Sequence, residues 1–117
     1  AYATAINIFV LAATEMETVV RALGCSWSGE IFADRAYNED ATLVERSRPN
    51  AVISDPELAA QRVLEMVRSK AIISSTGTSI PARIDTICLH GDGESALKIA
   101  RSVRQSLTAD GIKVTKV

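Results

Sequence analysis

Residues 85–92 read Asp-Thr-Ile-Cys-Leu-His-Gly-Asp, and this stretch decides the fold class. Ile87 to Leu89 form a short apolar run between turn-forming residues, which predicts a strand covered on both faces. A helical pattern begins directly afterwards, at Gly93. Parallel α/β sheets carry their functional residues at the carboxyl ends of strands, so His90 and Asp92 fall where chemistry is expected.

Strand and helix patterns alternate along the rest of the chain. We expect strands at 6–11 and 26–33, a helix opened by Thr14 with Glu17 as its capping partner, and a helix from Asp55-Pro56-Glu57 to about Ser69. A last helix is expected from Gly93 to Gly111. Such alternation is typical of a parallel sheet, so we predict an α/β fold with residues 1–117 as one domain.

Three further elements are predicted from weaker patterns. Residues 71–74 and 79–83 flank a turn that contains glycine, which favours a β-hairpin. Two short apolar patches, 43–44 and 51–53, are expected to pair as a small hairpin inside the irregular segment 36–54, and 112–114 as one more strand. A connection as long as 36–54 is usually functional, although it can also cover a barrel end or a subunit contact.

Composition excludes several classes of function. Of the 117 residues, 47% are hydrophobic and 23% charged, and the net charge of −1 gives no support for a nucleic-acid or anionic-membrane partner. Cys25 and Cys88 are too few for a disulfide framework, so reduced cysteines and a cytoplasmic location are expected. The first residue is Ala1, and the chain is expected to be a piece of something longer.

The candidate catalytic residues are His90, Asp34 and Asp92. Histidine can act as acid, base or metal ligand near neutral pH. Asp92 could orient it or merely cap the next helix, and His90 could itself be structural. Asp34 and Arg35 follow the second strand, where the arginine could clamp a carboxylate or phosphate, or form a structural ion pair.

The candidate substrate-binding residues in the long loop are Tyr37, Arg46 and Ser47, which could close over a ligand or simply be solvated. Asp85 lies at the other end of its strand and is expected to be structural, paired with Arg83. No metal site is predicted, since the chain has a single histidine and no Cys-x-x-Cys pattern. Residues 75–78 lack the lysine and second glycine of a Walker-type phosphate loop.

Several blocks, taken together and in order, resemble the C-terminal half of the LamB/YcsF family, the A subunit of the prokaryotic ATP-dependent 5-oxoprolinase. The blocks are Ile-Phe-Ala-Asp-Arg-Ala-Tyr at 31–37, Thr-Leu-Val at 42–44, Arg-Ser at 46–47, Ala-Val-Ile at 51–53, Asp-Pro-Glu at 55–57, Arg-Val-Leu at 62–64, Met-Val at 66–67 and the opening stretch at 85–92.

The resemblance implies a fold, a reaction and partners. The fold would be part of an irregular (β/α) barrel of the glycoside hydrolase and deacetylase type. The reaction would open the lactam ring of 5-oxoproline (pyroglutamate) to glutamate, with ATP and Mg²⁺ as co-substrate, and the partners would be the 5-oxoprolinase B and C subunits. In such a scheme His90 or Asp34 would be the acid/base, and Arg35 the clamp on a carboxylate or phosphate.

The chain also departs from the family pattern. The family's N-terminal blocks, which resemble Asp-Leu-Asn-Cys-Asp, Cys-Gly-Phe-His and Lys-Pro-His-Gly, are not in it. Ala41 and Asn50 stand where glycine is usual, Glu45 where proline is usual, and residues 12–14 replace a glycine-rich turn. These changes predict a relaxed or divergent loop.

Three interpretations follow. The first is half of a 5-oxoprolinase barrel, inactive alone, because three or four parallel strands cannot close a barrel. It would associate with an N-terminal half or with itself. The second is a non-catalytic binding or interaction domain that keeps the family scaffold. The third, argued from fold kinship only, is a metal-dependent deacetylase or sugar hydrolase.

Overall fold

The order of strands and helices follows the alternation in the sequence. The computed structural model describes residues 6–91 and 93–116. Along these residues the elements are β1 (Asn7–Leu11), α1 (Glu15–Ala22), β2 (Ser26–Phe32), α2 (Pro56–Ser69), β3 (Ala71–Ile73), β4 (Ser79–Pro81), β5 (Thr86–Cys88) and α3 (Ala96–Ala109).

The main sheet is parallel and has the strand order β1-β2-β5. In the β1–β2 pair, Asn7 lies opposite Ser26, and in the β2–β5 pair, Phe32 lies opposite Cys88. Strands β3 and β4 form a separate antiparallel pair, as the hairpin prediction required. The predicted α/β class with parallel βα units is therefore confirmed.

The helices cover one side of this sheet. Ala33, at the end of β2, packs with Val63 of α2 and Val103 of α3 in the main apolar cluster, and Ile87 of β5 joins it. Near the start of β2, Trp27 packs with Val20 of α1. Because side chains alternate along a strand, the odd-numbered residues of β2 face the helices and the even-numbered ones face away.

The start of α2 shows why the sequence signal there was strong. The Asp55 carboxylate accepts a hydrogen bond from the Glu57 backbone N–H at 3.0 Å, and Pro56 occupies the first helical turn. At α1 the helix begins as predicted, but the capping bonds differ. The Thr14 hydroxyl donates to the Leu11 carbonyl, and the Glu17 carboxylate accepts from the Ala13 N–H.

Two predictions about the irregular parts are wrong. The patches 43–44 and 51–53 do not pair with each other, because Leu43 bridges to Tyr37 and Val52 bridges to Arg35. Residues 34–37 are buried, so their backbone groups need partners, and both patches supply them.

The predicted strand at 112–114 does not form either. The Ile112 N–H donates to the Leu107 carbonyl at 2.9 Å, which closes the end of α3. Ile112 also packs against the cluster between α2 and α3, so the chain turns back onto the helices rather than onto a strand.

No helix in the described ranges, 6–91 and 93–116, has the length and apolar character needed to cross a membrane.

Candidate active site

The register of β2 and β5 brings Asp34 and His90 together. Phe32 lies opposite Cys88, so the residues two positions further along each chain meet just beyond the strand ends. His90 Nδ1 lies 2.8 Å from Asp34 Oδ1 and 2.9 Å from Asp34 Oδ2. The His90 backbone N–H also points at Asp34 Oδ2, at 3.4 Å. Two of the three predicted catalytic residues therefore form one hydrogen-bonded pair.

The chemistry of this pair assigns the protons. An ionised carboxylate can only accept hydrogen bonds, so Nδ1 of His90 carries the hydrogen that it donates to Asp34. In the neutral ring the other nitrogen, Nε2, is then an acceptor. The Asp34 side chain is 12% exposed, whereas 32% of the His90 side chain is open to solvent. The arrangement is that of a histidine base held by a buried acid.

The Phe32 ring packs against the imidazole of His90 and restricts its rotation. The two rings stack with a centroid distance of 5.4 Å and an angle of 20° between the planes. Phe32 at the end of β2 and Asp34 two positions later thus both contact His90, one through its ring and one through its carboxylate. Sequence reasoning did not find Phe32, because the partner of an aromatic ring depends on strand register.

Cys88 is the last residue of β5, two positions before His90, and its thiol is protonated at neutral pH. Burial, together with the nearby carboxylates of Glu30 and Asp34, raises the pKa of this thiol. A cysteine nucleophile needs the opposite environment, which lowers the pKa and forms the thiolate. Cys88 is therefore not suited to nucleophilic catalysis.

Arg35 is buried beneath the long loop. Its Nη2 donates to the Val44 carbonyl at 2.8 Å, and its Nε has no hydrogen-bond partner among the described residues. The backbone on either side of Asp34 is held from α2, since Arg62 donates to the carbonyls of Ala33 and Arg35 at 3.4 and 3.2 Å. Arg62 was not singled out as a site residue from the sequence.

Among the described residues, His90 makes no hydrogen bond to the side chains of the predicted ligand-binding residues, which are Arg35, Tyr37, Arg46 and Ser47. Tyr37 is 2% exposed, and its hydroxyl accepts a hydrogen bond from the Phe32 N–H at 2.8 Å. Arg46 and Ser47 are exposed in a turn of the long loop. Asp92 lies outside the described residues. The catalytic roles remain predictions for His90, Asp34 and Asp92, as do the ligand-binding roles for Arg35, Tyr37, Arg46 and Ser47.

A groove of about 890 Å³ lies away from the Asp34–His90 pair. It is lined by residues from the starts of β2 and β5, by α3 and by the segment after it. Neither Asp34 nor His90 lines this groove. Among residues 6–91 and 93–116, no three His, Cys, Asp or Glu side chains are arranged to hold a metal ion.

Parallel βα units with an acid–histidine pair at their carboxyl ends define part of a (β/α)-barrel protein. The LamB/YcsF family model matches residues 1–117, and the chain belongs to this family.

Several relatives and one solved structure support the assignment. The chain is 59% identical over 110 residues to the 5-oxoprolinase A subunit of Ruegeria pomeroyi, covering 94% of this chain and 44% of that protein. It is 40% identical over 107 residues to the 5-oxoprolinase A subunit of Limosilactobacillus fermentum, covering 92% and 43%. The crystal structure of the lactam utilization protein from Thermus thermophilus superposes with a TM-score of 0.83 at 35% identity, covering 96% and 44%.

The chain therefore spans less than half the length of the relatives that it matches. The names of those relatives describe longer proteins.

Proposed function

We propose that this chain supplies the acid–base wall of a 5-oxoprolinase active site, which opens the lactam ring of 5-oxoproline to glutamate with hydrolysis of ATP. The observation that carries the proposal is the Asp34–His90 pair, with Nδ1 2.8 and 2.9 Å from the two carboxylate oxygens. The names of the relatives supply the reaction class.

His90 Nε2 would take a proton from the water that attacks the ring carbonyl carbon. Asp34 keeps the other nitrogen protonated and stabilises the imidazolium that forms. The carbon–nitrogen bond then breaks, and the ring nitrogen receives a proton as it leaves. An unactivated amide is a poor electrophile, so ATP would supply the phosphoryl group that activates the lactam oxygen, and a second water would release it as phosphate.

The nucleotide is assigned to another part of the assembly in this proposal. The described residues contain no glycine-rich phosphate loop, and the N-terminus of α2 is already occupied by the Asp55 carboxylate, which would repel a phosphate. ATP and Mg²⁺ would then meet the lactam from the rest of the protein or from the B and C subunits. The described strands also leave the sheet open at β1 and β5, which a further half would have to cover.

The test uses a hybrid in which this chain replaces the matching 110 residues of the Ruegeria pomeroyi relative. It is assayed for glutamate with ATP, Mg²⁺, 5-oxoproline and that organism's other 5-oxoprolinase subunits. We expect His90→Ala to lower kcat about 10²–10⁴-fold, the usual contribution of a general base. Asp34→Asn should also lower kcat, since it disturbs the tautomer of His90.

Asp55→Asn is the matched control. It makes the same carboxylate-to-amide change at the start of α2, where asparagine caps a helix as well as aspartate does. Activity of the His90→Ala hybrid equal to that of the control would refute the proposed role. A folded wild-type hybrid that releases no glutamate would instead favour a non-catalytic domain.

A further inference from the structure

Along β2 and β5, the side of the sheet that faces away from the helices is polar except for Phe32. Parallel strands covered on both faces usually carry apolar residues throughout, and barrel interiors are filled by branched aliphatic side chains. On β2, β5 and the positions just after them, the side opposite the helices instead carries Ser28, Glu30, Asp34, Thr86, Cys88 and His90. A row of this kind suits a surface that meets a polar ligand.

The direction of this side follows from packing. Trp27, Ile31 and Ala33 of the β2 region are packed in apolar clusters with helical residues, and Ile87 of β5 joins two of these clusters. Alternation places their neighbours on the other side. The stacking of Phe32 on His90 agrees with this assignment.

Glu30 lies below the Asp34–His90 pair on this side. Its register partner is Thr86, two positions before Cys88. Four residues of a parallel strand separate the backbone of Glu30 from that of Asp34 by about 13 Å at a rise of about 3.3 Å each. Both carboxylates contribute to the raised pKa of the Cys88 thiol, which lies between them. Phe32 is the intervening β2 residue on this side, so a ligand ring placed between the two carboxylates would lie beside its aromatic ring.

Glu30 differs from the other carboxylates near these strands, because its side chain has no partner among residues 6–91 and 93–116. Asp34 holds His90, and Asp85 holds Arg83 and the Gly29 backbone. The carboxylate of Glu30, half-buried, makes no ion pair or side-chain hydrogen bond within the described part of the chain. Its oxygens are not fully buried and are therefore open to water, which a donor on a ligand can replace.

We infer that the ligand surface continues from His90 down to Glu30, and that the Glu30 carboxylate accepts a hydrogen bond from the ring N–H of a lactam. The inference rests on the proposed function and deepens it. His90 would face the carbonyl carbon of the ring, and Glu30 would select a lactam over a lactone, whose ring oxygen has no hydrogen to donate.

The experiment measures binding rather than turnover. Equilibrium dialysis compares 5-oxoproline with the corresponding lactone, in which oxygen replaces the ring N–H, on the hybrid described above and its variants. The wild-type hybrid should prefer the lactam by at least about tenfold, the value of one good hydrogen bond. Glu30→Ala should bring this ratio close to one, and Glu30→Gln, which keeps a carbonyl acceptor, should restore part of it.

Glu65→Ala, on the exposed side of α2, is the control and should keep the wild-type ratio. An unchanged ratio in Glu30→Ala, or a wild-type hybrid that binds neither compound, would overturn the inference. A hybrid whose lactam preference depends on Glu30 but which releases no glutamate would support the inference and refute the proposed function.

Discussion

At both ends of the β2–β5 pair a carboxylate accepts hydrogen bonds from the neighbouring strand region, but its side-chain partner differs. Before β5, Asp85 accepts hydrogen bonds from the Gly29 N–H at 2.8 Å and from Arg83 Nε at 2.7 Å. After β5, it is Asp34 that accepts from His90. In each case a carboxylate ties the two strands together. The difference lies in the partner.

A guanidinium keeps its charge throughout the physiological range and cannot exchange a proton with a substrate, whereas an imidazole can. Arg83 is also locked into place, because it stacks on Trp27 at 4.2 Å and donates to the Trp27 carbonyl. The start of the pair is therefore built for stability, as predicted for Asp85 and Arg83. The far end has the partner that proton transfer requires.

The largest loss of stability should come from a larger side chain at Gly29, near the start of the β2–β5 pair. A Cβ on Gly29 would clash with the Arg83 carbonyl oxygen, which is backbone and cannot move aside cheaply. Gly29→Ala should therefore cost roughly 3 kcal/mol or more, through overpacking and loss of the Asp85 contacts, as measured by urea unfolding. Gly91→Ala, beside His90, meets nothing within 4 Å and serves as control. If both variants lose the same free energy of unfolding, the two ends of the pair tolerate an added methyl group equally well.

A second test uses the alkaline behaviour of Tyr37, which closes the far end of β2. Burial raises the pKa of Tyr37 to about 12 from the ordinary value of 10.0. Between these values the unfolded chain releases the proton while the folded chain keeps it, so stability falls as the pH rises. The loss approaches about 2.7 kcal/mol, at 1.36 kcal/mol for each pH unit.

Tyr37→Phe has no proton to lose, but it leaves the Phe32 N–H without its acceptor. At pH 8 this variant should be less stable than wild type by about 1–3 kcal/mol. The difference in free energy of unfolding between wild type and this variant should shrink steadily as the pH of the urea titration is raised from 10 to 12. A gap that stays constant over this range would contradict the buried, protonated hydroxyl.

The smallest loss of stability is expected in a comparison of the two carboxylates, Asp85 and Asp34. Asp85→Asn should lower the free energy of unfolding by about 1 kcal/mol, because the charged bond to Arg83 is lost in a partly exposed setting, and should leave catalysis by the hybrid unchanged. Asp34→Asn should act on catalysis far more than Asp85→Asn does. A loss of activity on Asp85→Asn without unfolding would erase the distinction between the two ends.

The sequence predicted the fold better than the site. Hydrophobic spacing and the Asp55-Pro56-Glu57 start were enough to predict α2, because both are local signals. Asp34 and His90 were each expected at strand ends, but their contact across 56 positions follows from the register, which no local pattern encodes. Phe32 and Glu30 were missed for the same reason. The pairing of patches 43–44 and 51–53 was predicted wrongly because their partners are the buried residues 34–37, which are not a periodic strand.

The backbone of the turns around the site has a further consequence. Ala13, Ala41 and Asn50 adopt φ angles of 61°, 69° and 63°, and these are positions where the family resemblance leads one to expect glycine. The loop has therefore not relaxed, since its hydrogen bonds hold a left-handed backbone that costs an alanine roughly 1–2 kcal/mol. The protein thus keeps the left-handed backbone that glycine favours at three positions where it has no glycine. These turns are strained, and substituting glycine at such positions should relieve the strain and make the folded protein more stable.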